Sequence, residues 1–593
     1  MTKWFMTTKR ADFSELAKKY KIDPVLARII RNRDVVSQEE WELYLYGTME
    51  QIPSADKMKD LKKAVSVLRR SIKEGKKIRI IGDYDVDGIC ATYVLYRGLT
   101  LCGADADYVI PHRIEDGYGI NMQMVEQAIK DNVNVLLTCD NGISAKEPLE
   151  YAKSKGLICI VTDHHEIPFL EKDGQREYIL PGVDALIDPK QSDCAYPNKN
   201  ICGAVVAFKL VQALLDECDV TKDKKEALLR ELTEFAGLAT VCDVMELQGE
   251  NRIIVKTALY YMKESSNPGL RALLKVNDIP GENVSAFHLG FVIGPCLNAT
   301  GRLDTAELAL ELLCAQDFET AIVHAVKLKQ LNDNRKEMTE KGVQFAISLI
   351  EQGGYEQESV LVLYLKEVHE SLAGIIAGRI RELYHKPVFV LTKTADGVKG
   401  SARSISAYDI YEEMTKCKEL FTKFGGHKMA AGLSMKEADV VLFRNRINEL
   451  CTLKPEDFVE KITIDVPMPL SYVTMDLIEQ FELLEPFGVG NEKPVFAQKN
   501  VQFISGAVMG KNKNVARFTV KDESGKTYQL ILFRELEKFS EYVNGCFGQK
   551  AYENLLDGAG AQMNIVMDII YYPGINEYRG MKSVQYVLQY YKK

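Results

Sequence analysis

The stretch that decides the fold is Ile81-Gly82-Asp83-Tyr84-Asp85-Val86-Asp87-Gly88, and it completes the apolar run Ile78–Ile81. The apolar run predicts a buried strand, and Gly88 allows a bend after it. Three carboxylates at alternate positions converge where such a strand ends, and they repel one another unless a cation neutralises them. Because hard oxygen ligands suit Mg²⁺ or Mn²⁺, the stretch predicts a divalent metal site. The alternative is an acidic loop solvated at a surface.

Length and composition bound the class of protein. A chain of 593 residues is too long for one core, so we expect three or four domains. The net charge of -9 argues against a protein that coats nucleic acid indiscriminately, but it leaves room for a local basic channel. Thirteen cysteines without a CxxC pair indicate free thiols in a reducing compartment. The sequence has no signal-peptide core and no apolar run of membrane-spanning length, so a cytoplasmic location is expected.

Apolar strands alternate with helical segments from this stretch onward. Their starts lie roughly 25 residues apart, as βα repeats require, and this rhythm predicts a parallel, doubly wound α/β sheet. Ligands of such sheets bind at the carboxyl ends of the strands. The predicted strands span 78–81, 106–110, 133–138, 157–161 and 185–187.

Further acids and histidines follow the later strands. Asp140 comes after the third strand, the run Asp163-His164-His165 comes after the fourth, and Asp243 lies in an apolar, helix-like segment, 235–244. A mixed Asp and His set at consecutive strand ends is what two adjacent Mn²⁺ or Mg²⁺ ions need, with one carboxylate bridging them. The alternative for any single member is a helix cap or a satisfied hydrogen bond.

Three motifs together resemble those of the DHH phosphoesterase superfamily: Asp83-x-Asp85-x-Asp87-Gly88, Cys139-Asp140-Asn141-Gly142 and Asp163-His164-His165. The chain is most similar to the branch of bacterial single-strand-specific 5′→3′ DNA exonucleases. Segments that carry this closer resemblance span 111–119, 188–190, 203–208, 251–252, 297–303 and 425–432.

The resemblance implies a role for each member of the Asp and His set. Asp85 and Asp87 align with superfamily metal ligands, whereas Ile81 stands where the superfamily usually has a histidine. Asp83 is the nearby group that could replace that histidine. The resemblance makes Asp140 the bridging carboxylate and assigns His164 and Asp243 to the second ion. It makes Asp140, His164 and His165 the catalytic residues, with His165 contacting phosphate or handling a proton and Asp163 orienting the histidines.

The second half of the chain changes character. Helical spacing of apolar residues predicts a helix of about 34 residues over 317–350, and the alternative is two shorter helices broken near Asn332-Asp333. The resemblance implies that this helix joins the catalytic DHH domain to a second α/β domain, called DHHA1. The expected domains are an N-terminal helical segment 1–55, a DHH domain 56–315, a connecting helix 316–352, a DHHA1 domain 353–455 and a C-terminal domain 456–593.

The C-terminal domain is predicted to be all-β. About five short strands suggest an oligonucleotide-binding (OB) barrel, as the resemblance also implies. Four cations interleaved with Phe518 could track a DNA backbone and stack a base, and the alternative is a solvated hairpin with a core phenylalanine. These cations are Lys511, Lys513, Arg517 and Lys521.

Two glycine-containing segments predict phosphate contacts. The small-residue segment 399–404 is interpreted as a loop, and the segment 425–428 as a turn before a helix, because such backbones approach phosphate closely. With the resemblance, they complete a set of phosphate-binding residues in which Arg113 and Arg302 hold the terminal phosphate. The set is Arg113, Arg302, Arg379, Ser401, Arg403, Gly426 and His427.

The resemblance implies a single-strand-specific 5′→3′ DNA exonuclease that releases 5′-mononucleotides with two Mn²⁺ or Mg²⁺ ions, in DNA repair and recombination. It also implies a monomer that cooperates with a RecQ-type helicase and a single-strand-binding protein. Two alternatives stay open. One is a DHH-type oligoribonuclease or nucleotide phosphatase, which would usually lack the β-rich C-terminal domain. The other is a non-catalytic DNA-binding scaffold, which would be expected to lose metal ligands.

Overall fold

The computed structural model describes residues 2–172, 175–395, 397–510, 513–578 and 580–593. It divides into two units, one of Met1–Gly47 together with Lys461–Lys593 and the other of Thr48–Glu460. Among the helices of the described ranges, none combines the length and the apolar character needed to cross a membrane.

The N-terminal segment contains one strand and three helices. Each helix begins where an Asp or Ser side chain accepts a backbone N–H of the first turn: Asp12, Asp23 and Ser37. The sequence signals the second and third helices, whereas the strand and the first helix were not predicted. The elements are β1 (Lys3–Met6), α1 (Phe13–Tyr20), α2 (Pro24–Asn32) and α3 (Gln38–Tyr46).

Five parallel strands and one hairpin follow in the second unit. The strands are β2 (Ile78–Ile81), β3 (Ala106–Val109), β4 (Val135–Cys139), β5 (Ile158–Thr162) and β8 (Ala185–Ile187), with the hairpin β6 (Phe169–Lys172) and β7 (Gln175–Tyr178) between the last two. They lie in the order β3-β2-β4-β5-β8 with every pair parallel, which confirms the predicted sheet. The order reverses between β2 and β4, and ligands bind at such a switch point.

Eleven helices surround this sheet. Two that pack on it, over 86–101 and 203–217, are apolar on nearly all sides, as expected for buried helices; Ile89 and Phe208 are among their buried side chains. The helices are α4 (Leu61–Lys73), α5 (Val86–Leu101), α6 (Met122–Lys130), α7 (Lys146–Ser154), α8 (Gly203–Glu217), α9 (Lys222–Cys242), α10 (Gly249–Met262), α11 (Pro268–Val276), α12 (Ala286–His288), α13 (Gly294–Leu303) and α14 (Glu307–Leu313).

One unbroken helix, α15 (Phe318–Gly353), connects this sheet to the next one. Its 36 residues span about 54 Å. The Asp317 side chain caps its start, and Gly354 ends it in the left-handed region at φ 67°. The alternative of two shorter helices is excluded, because Asn332 lies buried within the helix and its amide donates to the Cys296 sulfur.

A mixed five-stranded sheet completes the second unit. Its elements are β9 (Leu361–Tyr364), α16 (Ala373–Tyr384), β10 (Val388–Thr394), β11 (Gly397–Arg403), α17 (Ile410–Thr415), β12 (Phe421–His427), β13 (Ala430–Met435) and α18 (Val440–Glu449). The strand order is β12-β13-β11-β10-β9, and only β9 and β10 pair in parallel.

Two predictions in this sheet are wrong. The segment interpreted as a small-residue loop, 399–404, is mostly strand β11, and the segment interpreted as a turn before a helix, 425–428, belongs to the hairpin β12–β13. The physical reason is that burial alternates along β11: Val398, Gly400 and Ala402 are buried, and the residues between them are not. The small residues Gly400 and Ala402 therefore reflect close packing within the sheet and do not mark a loop.

The C-terminal part of the first unit is a closed barrel of five strands in the order β16-β17-β18-β20-β19, with β19 pairing back to β16. This confirms the predicted OB-type barrel. The elements are β14 (Lys461–Ile464), β15 (Val466–Pro467), α19 (Met475–Gln480), β16 (Phe496–Met509), β17 (Val515–Lys521), β18 (Thr527–Leu532), α20 (Leu536–Phe547), α21 (Ala551–Leu556), β19 (Val566–Tyr578) and β20 (Met581–Lys592). Outside the barrel, β14 pairs in parallel with β1.

The predicted stacking role of Phe518 is wrong. Its ring is fully buried in the barrel core, against Phe503 and Phe539, so the alternative of a core phenylalanine holds. Lys513, Arg517 and Lys521 are exposed, and Lys511 lies outside the described residues.

Candidate metal centre

The three acids of the opening motif sit where β2 ends and α5 begins. Asp85 caps α5, since its Oδ1 accepts the N–H groups of Asp87 (2.9 Å) and Gly88 (3.1 Å). The sequence suggested a bend at Gly88, but Gly88 lies in the first turn of the helix. A Cβ there would come within 2.5 Å of the Asp83 carbonyl oxygen, so the glycine allows Asp83 to lie against the helix.

Asp140 follows β4 in a strained backbone conformation, at φ 59°. The start of α8 packs directly against it: a Cβ on Gly203 would lie 2.7 Å from the Asp140 Cβ. The same helix start holds Asp87, whose carboxylate accepts the N–H groups of Gly203 (2.6 Å) and Ala204 (2.8 Å). A helix N-terminus thus stabilises the Asp87 charge and orients its carboxylate.

The remaining members come from β5 and α9. His164 is buried at the end of β5, and its Nε2 lies 3.0 Å from Asp140 Oδ1, 3.5 Å from Asp87 Oδ2 and 3.7 Å from Asp243 Oδ2. Asp243 was expected within a helix, but α9 ends at Cys242 and Asp243 caps its C-terminal end. The helix end turns its carboxylate toward His164.

These side chains form three overlapping groups whose candidate ligand atoms lie within 4.8 Å of one another. All three groups include members of the predicted metal-ligand set, and Asp140 appears in two of them. The groups are Asp83–Asp85–Asp140, Asp87–His164–Asp243 and Asp140–His164–His165. The sequence therefore predicted which residues come together.

The donor atoms fit divalent cations. Among the residues that the structure describes, four buried atoms of the centre have no partner in regular hydrogen-bond geometry: Asp83 Oδ1, Asp140 Oδ1, Asp243 Oδ2 and His164 Nε2. Buried polar atoms are almost always paired, so such a cluster needs an explanation. Burial, followed by repulsion from Asp85, raises the pKa of Asp83 to about 8, and burial with repulsion from Asp87 does the same to Asp243. A cation would satisfy the atoms and remove the repulsion.

His165 lies beside this cluster in a different environment. Its Nδ1 is 2.7 Å from Asp163 Oδ1, and the Tyr118 hydroxyl, which donates to the Asp140 carbonyl oxygen, lies 3.2 Å from its ring nitrogens. Burial lowers the pKa of His165, but the hydrogen bond and charge of Asp163 outweigh it and raise the pKa to about 9. Asp163 also accepts the N–H groups of Ile143 and His164, as expected of an orienting carboxylate.

A cavity of about 510 Å³ opens beside the centre, between the two sheets of the second unit. Four predicted phosphate-binding residues line it: Arg113, Arg302, Ser401 and Arg403. Ser401 and Arg403 face it with Lys399 because all three point to the same side of β11. Burial and the neighbouring arginines lower the pKa of Arg302, which marks a surplus of positive charge that an anion would balance.

Three other predicted phosphate-binding residues are not brought to this cavity. Arg379 is an exposed residue of α16, and Gly426 and His427 are exposed at the end of β12. None of them is among the residues that line the cavity.

Four residues here were not named as site residues from the sequence, although Lys399 lies in the segment 399–404 that was predicted to contact phosphate. Tyr118 contacts His165 and Asp140, while Tyr84, Lys399 and Lys423 line the cavity. The flanking glycines at 117 and 119, both at positive φ, were the available signal for an ordered loop at Tyr118. Lys399 could have been found by reading 397–403 as an alternating strand.

Family profiles match three parts of the chain. They are the DHH family N-terminal domain over 77–240, the DHHA1 domain over 357–453 and the RecJ OB domain over 464–590. Along the chain, the three matches fall in turn on the parallel sheet, the mixed sheet and the barrel of the structure.

Individual relatives and solved structures agree. The chain is 34% identical to the single-stranded-DNA-specific exonuclease RecJ of Bacillus subtilis, over 86% of this chain and 63% of that protein, so it spans less than two thirds of that relative. It is 34% identical to RecJ of Escherichia coli over 80% and 83% of the two chains, and 32% identical to RecJ of Salmonella typhimurium over 96% and 95%.

Among solved structures, RecJ of Thermus thermophilus in complex with Mn²⁺ matches with a TM-score of 0.80 at 26% identity, over all of this chain and 79% of that one. An exonuclease RecJ bound to manganese matches with a TM-score of 0.57 at 33% identity, over 68% and 96%. The chain is 32% identical to RecJ of Salmonella typhimurium over nearly the full length of both proteins, and its own profile matches include the RecJ OB domain: it belongs to the RecJ family of single-stranded-DNA-specific exonucleases.

Proposed function

We propose that the protein is a single-strand-specific 5′→3′ DNA exonuclease that releases 5′-mononucleotides by two-metal phosphodiester hydrolysis, in DNA repair and recombination. One observation carries the proposal: a buried group of unpartnered carboxylate and imidazole atoms lies beside a cavity lined by cations. The first part suits metal-assisted hydrolysis, and the second suits a phosphorylated strand end.

The site has room for two Mn²⁺ or Mg²⁺ ions. Asp83, Asp85 and Asp140 would hold one ion, and Asp87, His164 and Asp243 would hold the other, with Asp140 shared. When bound, such ions lower the pKa of an attacking water and neutralise charge on the phosphoryl oxygens. Backbone N–H groups at the start of α5 hold the Asp85 carboxylate, and those at the start of α8 hold the Asp87 carboxylate. Both carboxylates are therefore already oriented, and binding of an ion requires little side-chain rearrangement.

His165 handles the proton and contacts the scissile phosphate in this proposal. Asp163 holds its Nδ1, which leaves Nε2 as the atom directed to substrate, and the raised pKa keeps the ring protonated near neutral pH. A protonated imidazole can donate to a phosphoryl oxygen or to the departing oxygen. The Tyr118 hydroxyl positions the ring by contacting both it and the Asp140 backbone.

The cationic cavity would hold the terminal phosphate and so set polarity. Arg302 is fixed in it by donating to the Ser371 carbonyl oxygen at 2.6 Å, and Arg113 stacks over the Tyr84 ring at 4.5 Å. Arg403 and Ser401 approach from the opposite sheet. A 5′ phosphate anchored there puts the next phosphodiester near the carboxylates. For Arg379, Gly426 and His427, phosphate contact stays a prediction.

The two alternatives account for less of the molecule. A DHH-type oligoribonuclease or nucleotide phosphatase does not explain the five-stranded barrel, whose sequence matches the RecJ OB domain. A non-catalytic scaffold does not explain why every predicted metal ligand is retained and buried or half-buried in one cluster.

The remaining parts of the proposal concern location, partners and domain limits. The free state of all thirteen cysteines supports a cytoplasmic, reducing location. The proposal includes a monomer that works with a RecQ-type helicase and a single-strand-binding protein, as the resemblance implies. The proposal also includes the expected domain limits, which are 1–55, 56–315, 316–352, 353–455 and 456–593.

The substitution Asp140→Ala tests the centre. It removes the carboxylate proposed to bridge the two ions, so digestion of single-stranded DNA should fall below detection while binding of single-stranded DNA persists. Asp184→Ala is the matched control, because Asp184 is a half-buried aspartate that precedes β8, accepts the Cys159 N–H and belongs to none of the ligand groups, so its variant should digest DNA at about the wild-type rate. Turnover retained in Asp140→Ala would overturn the bridging role.

A further inference from the structure

The cationic cavity contains one carboxylate. Five cations line it: Arg113, Arg302, Lys399, Arg403 and Lys423. Glu370 is the one acidic residue among the lining residues that the structure describes, so the lining carries a formal net charge of +4. A carboxylate in a site that receives phosphate opposes binding, and its position in the wall therefore requires a reason.

Glu370 sits at the point where both sheets reach the cavity. It opens the short turn Glu370–Leu372 that precedes α16, and its side chain is only 18% exposed. Its Oε2 accepts a hydrogen bond from Lys399 Nζ at 2.6 Å. The next residue, Ser371, supplies the carbonyl oxygen that holds Arg302. One turn thus fixes a cation of β11 and a cation of α13.

This arrangement has two effects on a bound anion. The Glu370 charge repels phosphate directly, and its ion pair occupies the Lys399 ammonium, which would otherwise be a free phosphate donor. Both effects lower the affinity of the cavity for a terminal phosphate while the arginines keep it positive. Such a limit would favour release of the product, because the released 5′-mononucleotide carries the same phosphate as the next strand end.

We infer that Glu370 is a specificity-determining residue that holds down the affinity of the cavity for a terminal phosphate through its ion pair with Lys399. The inference rests on the proposed function, since it assigns the cavity to a 5′ phosphate. Beyond that function, it gives Glu370 the role of weakening the binding of the terminal phosphate, independently of the bases of the strand.

The test measures phosphate preference without turnover. The full-length protein, with EDTA present, is titrated with trithymidylate carrying either a 5′ phosphate or a 5′ hydroxyl, and the preference is the ratio of the two dissociation constants. Glu370→Gln keeps the side-chain shape and removes the charge, so the preference should rise between about threefold and about tenfold. The matched control Glu367→Gln removes an exposed charge three residues away, outside the lining, and should leave the preference within twofold of wild type.

Two further variants test whether the phosphate preference follows the net charge of the cavity. Lys399→Gln leaves Glu370 without its partner and lowers the net charge, so the phosphate preference should fall below that of wild type. The double variant Glu370→Gln with Lys399→Gln restores the wild-type net charge, and its preference should return to within twofold of wild type. Raising salt to about 0.5 M should shrink all these differences together, because exposed charges are screened.

Three results would overturn the inference. They are a Glu370→Gln preference equal to or below that of wild type, a double variant that behaves like Glu370→Gln alone, or a wild-type protein with no preference for the 5′ phosphate. The first two leave the exonuclease proposal intact if the wild type still prefers a phosphorylated end and digests DNA. The proposed function itself fails if no strand end is digested when Mn²⁺ or Mg²⁺ is supplied.

Discussion

Replacing Gly203 with alanine should disturb the metal centre without removing a charged group. A Cβ at this position would lie 2.7 Å from the Asp140 Cβ and 2.9 Å from its Oδ1, whereas ordinary contact starts near 3.4 Å. The shortfall is about 0.7 Å. Neither partner can easily withdraw, because the Asp140 N–H donates to the Thr162 carbonyl oxygen and the Gly203 N–H donates to Asp87.

The expected consequence is a loss of both activity and stability. Overpacking of this kind costs about 1–3 kcal/mol of unfolding free energy. Displacement of a catalytic group by about 1 Å costs on the order of 100-fold in rate, so kcat should fall by roughly 10-fold to 100-fold. Both are measured on purified protein, as the initial rate of label release from 5′-labelled single-stranded DNA at saturating Mn²⁺ and as the midpoint of urea unfolding.

The control is Gly378→Ala in α16, where an added Cβ meets no atom within 4 Å. This change should leave kcat unaltered and stabilise the helix by up to about 1 kcal/mol. A Gly203→Ala protein with a rate within twofold of wild type would refute the reasoning, because the start of α8 would then not constrain Asp140.

Two further predictions concern stability. Glu234 is buried, and burial raises its pKa to about 7, so its carboxyl group is protonated in the folded state at pH 5 to 6. The stability that comes from this protonation is fully present below about pH 4.5 and is lost as pH rises through 7. Glu234→Gln should therefore gain stability relative to wild type between pH 5 and pH 8, by at most about 3 kcal/mol in urea unfolding, and a difference that is constant with pH would contradict this. Arg33 and Asp465 form an ion pair of 2.7 Å with side chains 10% and 5% exposed, so Arg33→Met should destabilise the first unit by about 3–5 kcal/mol. Arg31→Met, whose partner Asp34 is exposed and 4.0 Å away, should cost less than about 1 kcal/mol, and equal losses in the two variants would argue against the role of the buried pair.

The metal centre could be predicted from sequence because its members follow consecutive parallel strands. Carboxyl ends of such strands share one edge, so Asp87, Asp140 and His164 had to lie near one another once the strands were recognised. Asp243 was included in the same set, and the resemblance assigned it to the second ion, although its segment was expected to be helical throughout. Its place after the last residue of α9 depends on where the helix ends, and helix ends are weakly marked in sequence.

The cationic cavity could be predicted only in part. Arg113, Arg302 and Arg403 come from segments separated by at least 100 residues, and the resemblance alone linked them. Small residues in β11 were interpreted as a loop because glycine and serine favour turns, but close strand packing overrode that preference. Likewise, β1 pairs with β14 across more than 450 residues, and no local pattern signals such a contact.

The central claim is that this centre digests single strands from the 5′ end. The most direct measurement uses one DNA strand labelled at its 5′ end, the same strand labelled at its 3′ end, and a blunt duplex, each with Mn²⁺ or Mg²⁺. We predict immediate release of labelled mononucleotide from the 5′-labelled strand, late release from the 3′-labelled strand, and an intact duplex. Equal early release from both ends, or digestion of the duplex, would contradict the account.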